Sequence, residues 1–274
     1  MGLVFLKGKD HPMTDAHVHL ERGPYTPAWA AEFAASAENA GITELCLLEH
    51  SYLFQEFLPL YDDLRRRSSF IDRWLSRKGG TRSLNDYLRF TETVRSLDFG
   101  RSVRFGLEVC FLPDSLGTIE HLLKTLPVPL DFTVGSIHFI GDFAFDHTPE
   151  LWEGVDADRA YRQFFGDSVR LAECGLFDGL AHPDSLKLFG HTPSFAAEEL
   201  DGWYERLAEA LAKAGMYAEQ NSGIARRTSA EAGMAPALYA AMKRHGVRIR
   251  TASDAHCPED VGKGVREFYE SGVV

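Results

Sequence analysis

The chain has 274 residues, of which 45% are hydrophobic and 25% charged, and its formal net charge is −11. This length and composition favour one large globular domain, since α/β barrels commonly reach this size as a single unit. The negative charge argues against a general nucleic-acid-binding protein, whose phosphate ligand requires a basic surface. It does not exclude a small phosphorylated substrate, because divalent cations in a site would reverse the local sign.

The cysteines and the N-terminal stretch bear on the compartment. Cys46, Cys110, Cys174 and Cys257 are far apart and form no CxxC pair, which favours reduced thiols and a cytoplasmic protein. The opening MGLVFLKGKDHPM lacks the long apolar region of a signal peptide. No apolar run approaches the length of a membrane span. We therefore expect neither secretion nor membrane insertion.

Short apolar runs alternate with longer amphipathic stretches along nearly the whole chain. The predicted strands are, in order, 13–20, 43–48, 103–109, 131–139, 177–181, 216–220 and 247–253. Helices are predicted over 28–40, 115–126, 158–174, 196–214, 234–245 and 259–271. About seven β-then-α units predict a parallel sheet with crossover helices, and a closed or distorted (β/α) barrel fits better than an open sheet. We interpret 52–97 as a helical insertion above the barrel mouth, within one domain spanning 1–274.

Histidine and acidic side chains stand at the ends of six predicted strands. They are His17, His19, His50, Glu108, His138, His182, Asp254 and His256. The carboxyl ends of parallel barrel strands meet on one face, which brings these residues to one site. Alternate strand residues point the same way, so His17 and His19 present two imidazoles together. Imidazole with carboxylate suits Zn, Mn or Fe(II), and this many ligands implies two or three ions with a bridging acid such as Glu108.

Each of these motifs has a simpler explanation when taken alone. His138 would serve equally as a hydrogen-bonded core residue, and His182, which precedes Pro183, as part of a turn. Their joint occurrence at strand ends favours the metal site, because buried polar groups need partners. We interpret the neighbouring Cys110 and Cys257 as pointing away from the site. The other histidines are interpreted as structural or exposed: His11, His121, His147, His191 and His245.

At these motifs the chain resembles the PHP (polymerase and histidinol phosphatase) family, from Asp15 to about Gly262. DAHVH is similar to the opening DxHxH motif, and LLEH, GLEV, DFTVGSIHF, AHPD and SDAH are similar to the later ones. Within the family, VGSIHF, AHPDSLKLFG and the Asn-Ser-Gly run resemble the histidinol-phosphate phosphatase branch. That branch commonly has a glutamate where this chain has Gln220.

The resemblance implies a distorted (β/α)₇ TIM-like barrel of PHP type with a site for three divalent ions. Carried over by motif, the first ion would be held by His17, His19, Glu108 and Asp254. The second would be held by Glu108, His138 and His182, and the third by His50 and His256. Tyr25 stands where many members have another histidine for the third ion, which weakens the expectation for that site.

We hypothesise a metal-dependent phosphomonoesterase that hydrolyses L-histidinol phosphate to L-histidinol, with a metal-bridging hydroxide attacking phosphorus. The expected catalytic residues are Asp254, Glu108 and His256. The candidates for binding the substrate phosphate are Arg226, Asn221 and Arg22, and Arg226 would equally be a surface charge. One alternative is a PHP-type phosphatase of phosphotyrosine proteins or nucleotide ends. The other is a non-catalytic module whose metal ions stabilise its fold. The sequence leaves the leaving-group acid and the oligomeric state open.

Overall fold

The computed structural model describes residues 12–272. His11 and most of the N-terminal stretch considered above lie outside these residues. Seven strands form one parallel sheet in the order β1 to β7. Their bounds are β1 Thr14–His19, β2 Glu44–Leu48, β3 Ser102–Cys110, β4 Phe132–Ser136, β5 Gly179–Leu180, β6 Tyr217–Asn221 and β7 Arg248–Ala252. The predicted seven-stranded parallel barrel is confirmed, although β5 is much shorter than expected.

The sheet curves until its first and last strands meet. The His19 amide donates to the Ala255 carbonyl at 2.7 Å. Fully buried Asp15 joins the two edges through its carboxylate, which accepts from the Ser253 amide (2.8 Å), the Ser253 hydroxyl (2.6 Å) and the Gly262 amide (2.8 Å). The barrel is therefore nearly closed, and Asp15 of the DAHVH motif acts as a structural link.

The helices surround the sheet. Within the described residues they are α1 Pro27–Ala40, α2 Asp62–Arg67, α3 Ser69–Lys78, α4 Leu84–Arg95, α5 Leu116–Lys124, α6 Ala157–Glu173, α7 Ala197–Ala214, α8 Gly223–Arg227, α9 Pro236–Arg244 and α10 Val265–Glu270. The helix predicted over 259–271 begins only at Val265, because Gly262 and Gly264 adopt φ of 75° and 77°, outside the helical region. None of these helices combines the length and apolarity that crossing a membrane requires.

Alternation along the strands separates the barrel interior from its outer face. Leu45 and Leu47 of β2 belong to the large apolar cluster that the helices cover. Cys46 and Leu48, which point the other way, belong to a small second cluster with Phe132, Val134, Ala181 and Tyr217. The interior is thus filled with side chains below the carboxyl ends of the strands, and the polar residues lie above this apolar floor.

The segment between β2 and β3 divides into two parts. Its first part, with two 3-10 turns followed by α2 and α3, lies at the barrel mouth, where the Tyr52 and Trp74 rings pack 4.7 Å apart. Its last part, α4, packs on the barrel wall, where the Tyr87 hydroxyl donates to the Gly106 carbonyl at 2.6 Å. Only the first part is therefore placed to shape access to the strand ends.

Candidate metal centre

Four side chains from three strand ends surround one point. The Nε2 atoms of His17 and His19 lie 2.9 Å apart, and Glu108 Oε2 lies 3.5 Å from each. Asp254 Oδ1 lies 3.8 Å from His17 Nε2 and 3.6 Å from His19 Nε2. Ligands bound tetrahedrally at about 2.0–2.2 Å are separated from one another by roughly 3.3–3.6 Å. The four atoms thus have the spacing of one metal's ligand set.

A second group forms on the other oxygen of Glu108. Its Oε1 lies 2.8 Å from His138 Nε2 and 3.2 Å from His182 Nε2. The two oxygens of one buried carboxylate therefore face two separate sets of imidazole nitrogens. This is the bridging arrangement expected of Glu108 for a pair of ions.

The third group is made by His50 and His256 together with His19, whose donor atoms lie close enough to hold an ion. His50 Nδ1 also lies 2.5 Å from Glu108 Oε2. Tyr25 takes no place in this group: its buried hydroxyl has no hydrogen-bond partner in the described residues, and its ring packs on Tyr87 5.4 Å away. All eight sequence-predicted ligands are brought together at one end of the barrel.

Two acidic residues outside the sequence motifs orient the proposed ligands. Buried Glu219 of β6 accepts from His17 Nδ1 at 2.9 Å, which turns the Nε2 lone pair toward the centre. Asp146 does the same for His138, accepting from Nδ1 at 2.6 Å. Such carboxylate partners fix the ring orientation of metal-binding histidines. The resemblance to the histidinol-phosphate phosphatase branch led us to expect a glutamate at position 220. In this chain position 220 is Gln220, and the glutamate of β6 is Glu219, one residue earlier.

The charge states follow from burial and from the neighbouring groups. Burial alone disfavours imidazolium, but the carboxylates of Glu219 and Glu108 outweigh it and raise the pKa of His17 well above its usual value. For His19, burial together with the His50 and His256 rings lowers the pKa well below its usual value. Burial opposes ionisation of Glu108, but the surrounding histidines lower its pKa. At His19 a neutral imidazole therefore lies beside the ionised Glu108, and at His17 a bound cation would take the place of the proton on Nε2.

Backbone strain is concentrated at two of the proposed ligands. His182 and Asp254 have φ of 27° and 56°, and among the described residues they alone adopt positive φ without being glycine. Such conformations cost on the order of 1–3 kcal/mol and persist where the surroundings impose them. Both side chains are thereby aimed at the centre from short turns after β5 and β7.

The side chains fit divalent metal ions. The His19 Nδ1 and His182 Nδ1 atoms are buried and lack a hydrogen-bond partner in the described residues. The Nε2 atoms of His17 and His19 also lie 2.9 Å apart, close enough for both to bind one cation. Imidazole nitrogens with carboxylate oxygens suit Zn, Mn or Fe rather than Ca or Mg. The groups are able to hold several ions.

A cavity of about 280 Å³ opens directly above these groups. Its walls come from the metal-site residues, from Tyr52 and Trp74 of the insertion, and from the loop after β4. The lining residues are His50, Tyr52, Trp74, Cys110, His138, Phe139, Asp146, His147, His182, Arg227, Asp254 and His256. Its volume suits a small organic molecule.

The three proposed phosphate-binding residues lie off the cavity wall. Arg226 donates to the Asp254 carbonyl at 2.8 Å and lies near Asp260. The polar groups of Asn221 are engaged by Glu219 (3.1 Å) and by the Gly223 amide (2.8 Å). Exposed Arg22 also lies outside the lining.

The next residue, Arg227, lines the cavity instead. One of its guanidinium nitrogens donates to the Asp146 carbonyl at 2.7 Å. Sequence reasoning identified the right loop after β6 but could not choose between its adjacent arginines, because the short helix α8 that orients them was not predicted.

Two residues interpreted as lying outside the site belong to its walls. Cys110 lines the cavity, because it follows Glu108 by two positions and therefore points the same way along β3. Burial raises the pKa of its thiol, which keeps it protonated. His147 also lines the cavity and is held by Asp146 at 2.8 Å. The interpretation that Cys110 points away from the site was wrong, whereas His147 is a buried, hydrogen-bonded residue that also faces the cavity.

The family model described as the PHP domain matches residues 15–223. The chain belongs to the PHP family. A curated relative from Deinococcus radiodurans, named "Probable histidinol-phosphatase", is 29% identical over 257 residues, covering 91% of this chain and 88% of the relative.

Two solved structures share the fold. One is a histidinol phosphate phosphatase from Lactococcus lactis, complexed with Zn, L-histidinol and phosphate; its TM-score is 0.68 at 17% identity, covering 94% of this chain and 91% of that chain. The other is a candidate histidinol phosphatase from Listeria monocytogenes, with a TM-score of 0.73 at 16% identity, covering 93% and 99%. At these identities the likeness establishes the PHP-type barrel.

Proposed function

We propose that this PHP-family protein is a metal-dependent phosphomonoesterase that hydrolyses L-histidinol phosphate to L-histidinol and phosphate. The observation that carries the proposal is the position of Glu108, whose two oxygens face two sets of histidine nitrogens beneath a small cavity. The name of the Deinococcus radiodurans relative and the ligands of the Lactococcus lactis structure support the choice of substrate.

The proposed ligands form three groups at the centre, one for each ion. His17, His19 and Asp254 would hold one ion on one side of Glu108, and His138 with His182 a second on the other side. His50 and His256 would hold a third. Divalent cations bound there supply Lewis acidity, which activates water and neutralises charge on phosphoryl oxygens. Buried Glu219 and Asp146 keep the imidazoles oriented.

Arg227 is the residue of this chain best placed to bind the substrate phosphate. It lines the cavity, and its side chain is anchored by the Asp146 carbonyl. A guanidinium can donate two parallel hydrogen bonds to phosphate oxygens. We assign Arg226, Asn221 and Arg22 to supporting or surface roles.

The domain organisation supports a small substrate. We propose that residues 1–274 form one domain in which the insertion, through Tyr52 and Trp74, limits the size of the molecule that enters. Phosphotyrosine on a protein surface would have to pass these rings, and a nucleotide end would meet a chain of net charge −11 with one arginine in the cavity lining. Nucleic acid is therefore not proposed as a partner, and membranes are not proposed because no described helix is long and apolar enough to cross one.

The four cysteines are free thiols, with Cys46 and Cys110 buried. A chain with no disulfide among them suits a reducing compartment. We propose that the protein acts in the cytoplasm.

The experiment that tests the substrate is a comparison of kcat/KM for L-histidinol phosphate, a phosphotyrosine peptide and a nucleoside monophosphate, using enzyme reconstituted with Zn or Mn. We expect L-histidinol phosphate to be preferred by at least about tenfold, a difference of roughly 1.4 kcal/mol. Preference for either other substrate would support the corresponding alternative. No turnover of any of them, in a protein that still binds metal, would favour the non-catalytic module.

A further inference from the structure

The described residues contain one histidine that faces the cavity without belonging to the three ligand groups. His147 lines the cavity, and it is not a member of any cluster whose donor atoms could share an ion. It lies in the loop after β4, nine residues beyond His138. Its side chain is largely buried, with 13% of its surface exposed.

A carboxylate fixes the orientation of the His147 ring. Its Nδ1 lies 2.8 Å from Asp146 Oδ1. An ionised carboxylate can only accept, so Nδ1 carries a proton and donates it to this bond. The other oxygen of the same carboxylate, Oδ2, lies 2.6 Å from His138 Nδ1. Asp146 therefore holds His138 and His147 together, one on each oxygen.

Aromatic side chains hold the ring from the sides. Trp74 approaches it edge-on at 4.7 Å between centroids, Phe70 edge-on at 5.7 Å, and Phe139 lies at 5.5 Å. With Nδ1 engaged by Asp146, Nε2 is the remaining polar atom of the ring. It has no hydrogen-bond partner in residues 12–272, where the hydrogen bonds are described.

This arrangement resembles a catalytic acid and its supporting carboxylate. Proton donors in enzymes are commonly imidazoles whose second nitrogen is held by an acid, and the carboxylate stabilises the protonated ring. The hydrolysis of an alkyl phosphate needs such a donor, because the departing alkoxide is a strong base. The proposed metal ligands are not placed to serve: His17 and His138, for example, direct Nε2 at the centre, and their Nδ1 atoms are held by Glu219 and Asp146.

We propose that His147 is the catalytic residue that protonates the leaving oxygen; this rests on the proposed phosphomonoesterase function. The oxygen of water forms a bond to phosphorus while the bond between phosphorus and the alcohol oxygen breaks. The electron pair of the broken bond stays on that oxygen, which takes the proton from His147 Nε2. The attacking water loses one proton to solvent, and solvent returns one to His147. Asp146 is the positioning residue for this step.

The test compares two leaving groups in the same variants. His147→Gln removes the transferable proton but can still bond to Asp146, and His147→Phe keeps the aromatic packing. For L-histidinol phosphate we expect kcat to fall by about 10²-fold or more, the usual contribution of general acid catalysis. For p-nitrophenyl phosphate, whose leaving group is a weak base, we expect less than about a fivefold change under the same reasoning. The matched control is His121→Gln on exposed α5, for which we expect no change with either substrate.

Two further measurements separate this role from a structural one. The bound metal per chain and the dissociation constant for inorganic phosphate should match those of the unmodified protein. If kcat falls equally for both substrates in folded, metal-loaded variants, the proposal is overturned. An unchanged kcat for L-histidinol phosphate would also overturn it and would assign the proton to water instead. If the unmodified protein hydrolyses neither substrate, the proposed function itself fails, which is distinguishable from failure of the His147 assignment.

Discussion

His17 Nδ1 donates a hydrogen bond of 2.9 Å to Glu219, and this bond fixes which nitrogen of the His17 ring faces the metal centre. With the proton held on Nδ1, the Nε2 lone pair points at the centre. The carboxylate of Glu219 also accepts from the His182 amide at 3.2 Å. One buried glutamate thus positions a ligand from β1 and the backbone of a ligand after β5.

Replacing this support should weaken metal binding without unfolding the protein. For Glu219→Gln we expect metal affinity and kcat/KM to fall by about 10–100-fold, the usual cost of losing a carboxylate behind a metal-binding histidine. Metal titration with a chromophoric chelator measures the affinity. The matched control is Glu205→Gln, which removes a partly exposed partner of Arg244 on the outer surface. Equal metal affinity in the two variants would show that Glu219 does not support His17.

Metal removal should lower stability as well as activity. Chelation leaves several carboxylates and imidazoles buried at one point, and ions that bind only the folded state stabilise it by about 2.7 kcal/mol at a concentration 100 times Kd. We expect a lower Tm after chelation and recovery on adding Zn or Mn. Thermal unfolding followed by circular dichroism measures it. An unchanged Tm, in protein shown to have lost its ions, would contradict tight binding at this centre.

Substitution of the two adjacent arginines after β6 should lower kcat/KM to different extents. Arg227→Ala removes the guanidinium that lines the cavity, and we expect kcat/KM for the phosphate substrate to fall by about 10–100-fold, as for the loss of a charged hydrogen bond worth about 1.5–3 kcal/mol. Arg226→Ala, which loses bonds to the Asp254 carbonyl and Asp260, should have the smaller effect. Steady-state kinetics on both variants decides the point. A larger effect at Arg226 would restore the original sequence-based assignment.

Asp15 should matter for barrel closure rather than for metal binding. In Asp15→Asn the amide group would face the backbone donors of Ser253 and Gly262. We expect the free energy of unfolding of the metal-free protein to fall by about 2–4 kcal/mol, since each unsatisfied buried group costs roughly 1–3 kcal/mol. Urea denaturation measures this. The control Asp63→Asn, on exposed α2, should change it by less than about 1 kcal/mol. A folded variant with fewer bound ions at unchanged stability would identify Asp15 as a ligand.

Much of the fold follows from local pattern. The strands and most helices are predicted to within a few residues, because apolar runs and glycine stops such as Gly41, with φ of 76°, mark them clearly. The sequence pattern does not predict those element boundaries that tertiary contacts determine. The strand β5 keeps only Gly179–Leu180 in the ladder, and the last helix is shortened by turns at Gly262 and Gly264 that carry no apolar signal.

The ligands were predictable and their supports were not. Residues such as His17 and Glu108 stand at strand ends, where topology alone brings them together. Asp146 and His147 lie in an irregular loop whose path depends on packing against Trp74 and Phe139. A signal for Glu219 did exist, since it lies two positions before Asn221 on the same strand and points the same way.

The number of bound ions per chain tests the proposed metal centre most directly, because Glu108 lies between two ligand groups. Mass-spectrometric metal analysis of active protein should find two to three divalent ions per chain. Glu108→Ala should retain at most one and lose phosphatase activity, while a surface variant such as Glu205→Gln keeps the full number. Active protein with a single ion, or a Glu108→Ala variant that keeps every ion, would contradict a bridged metal centre.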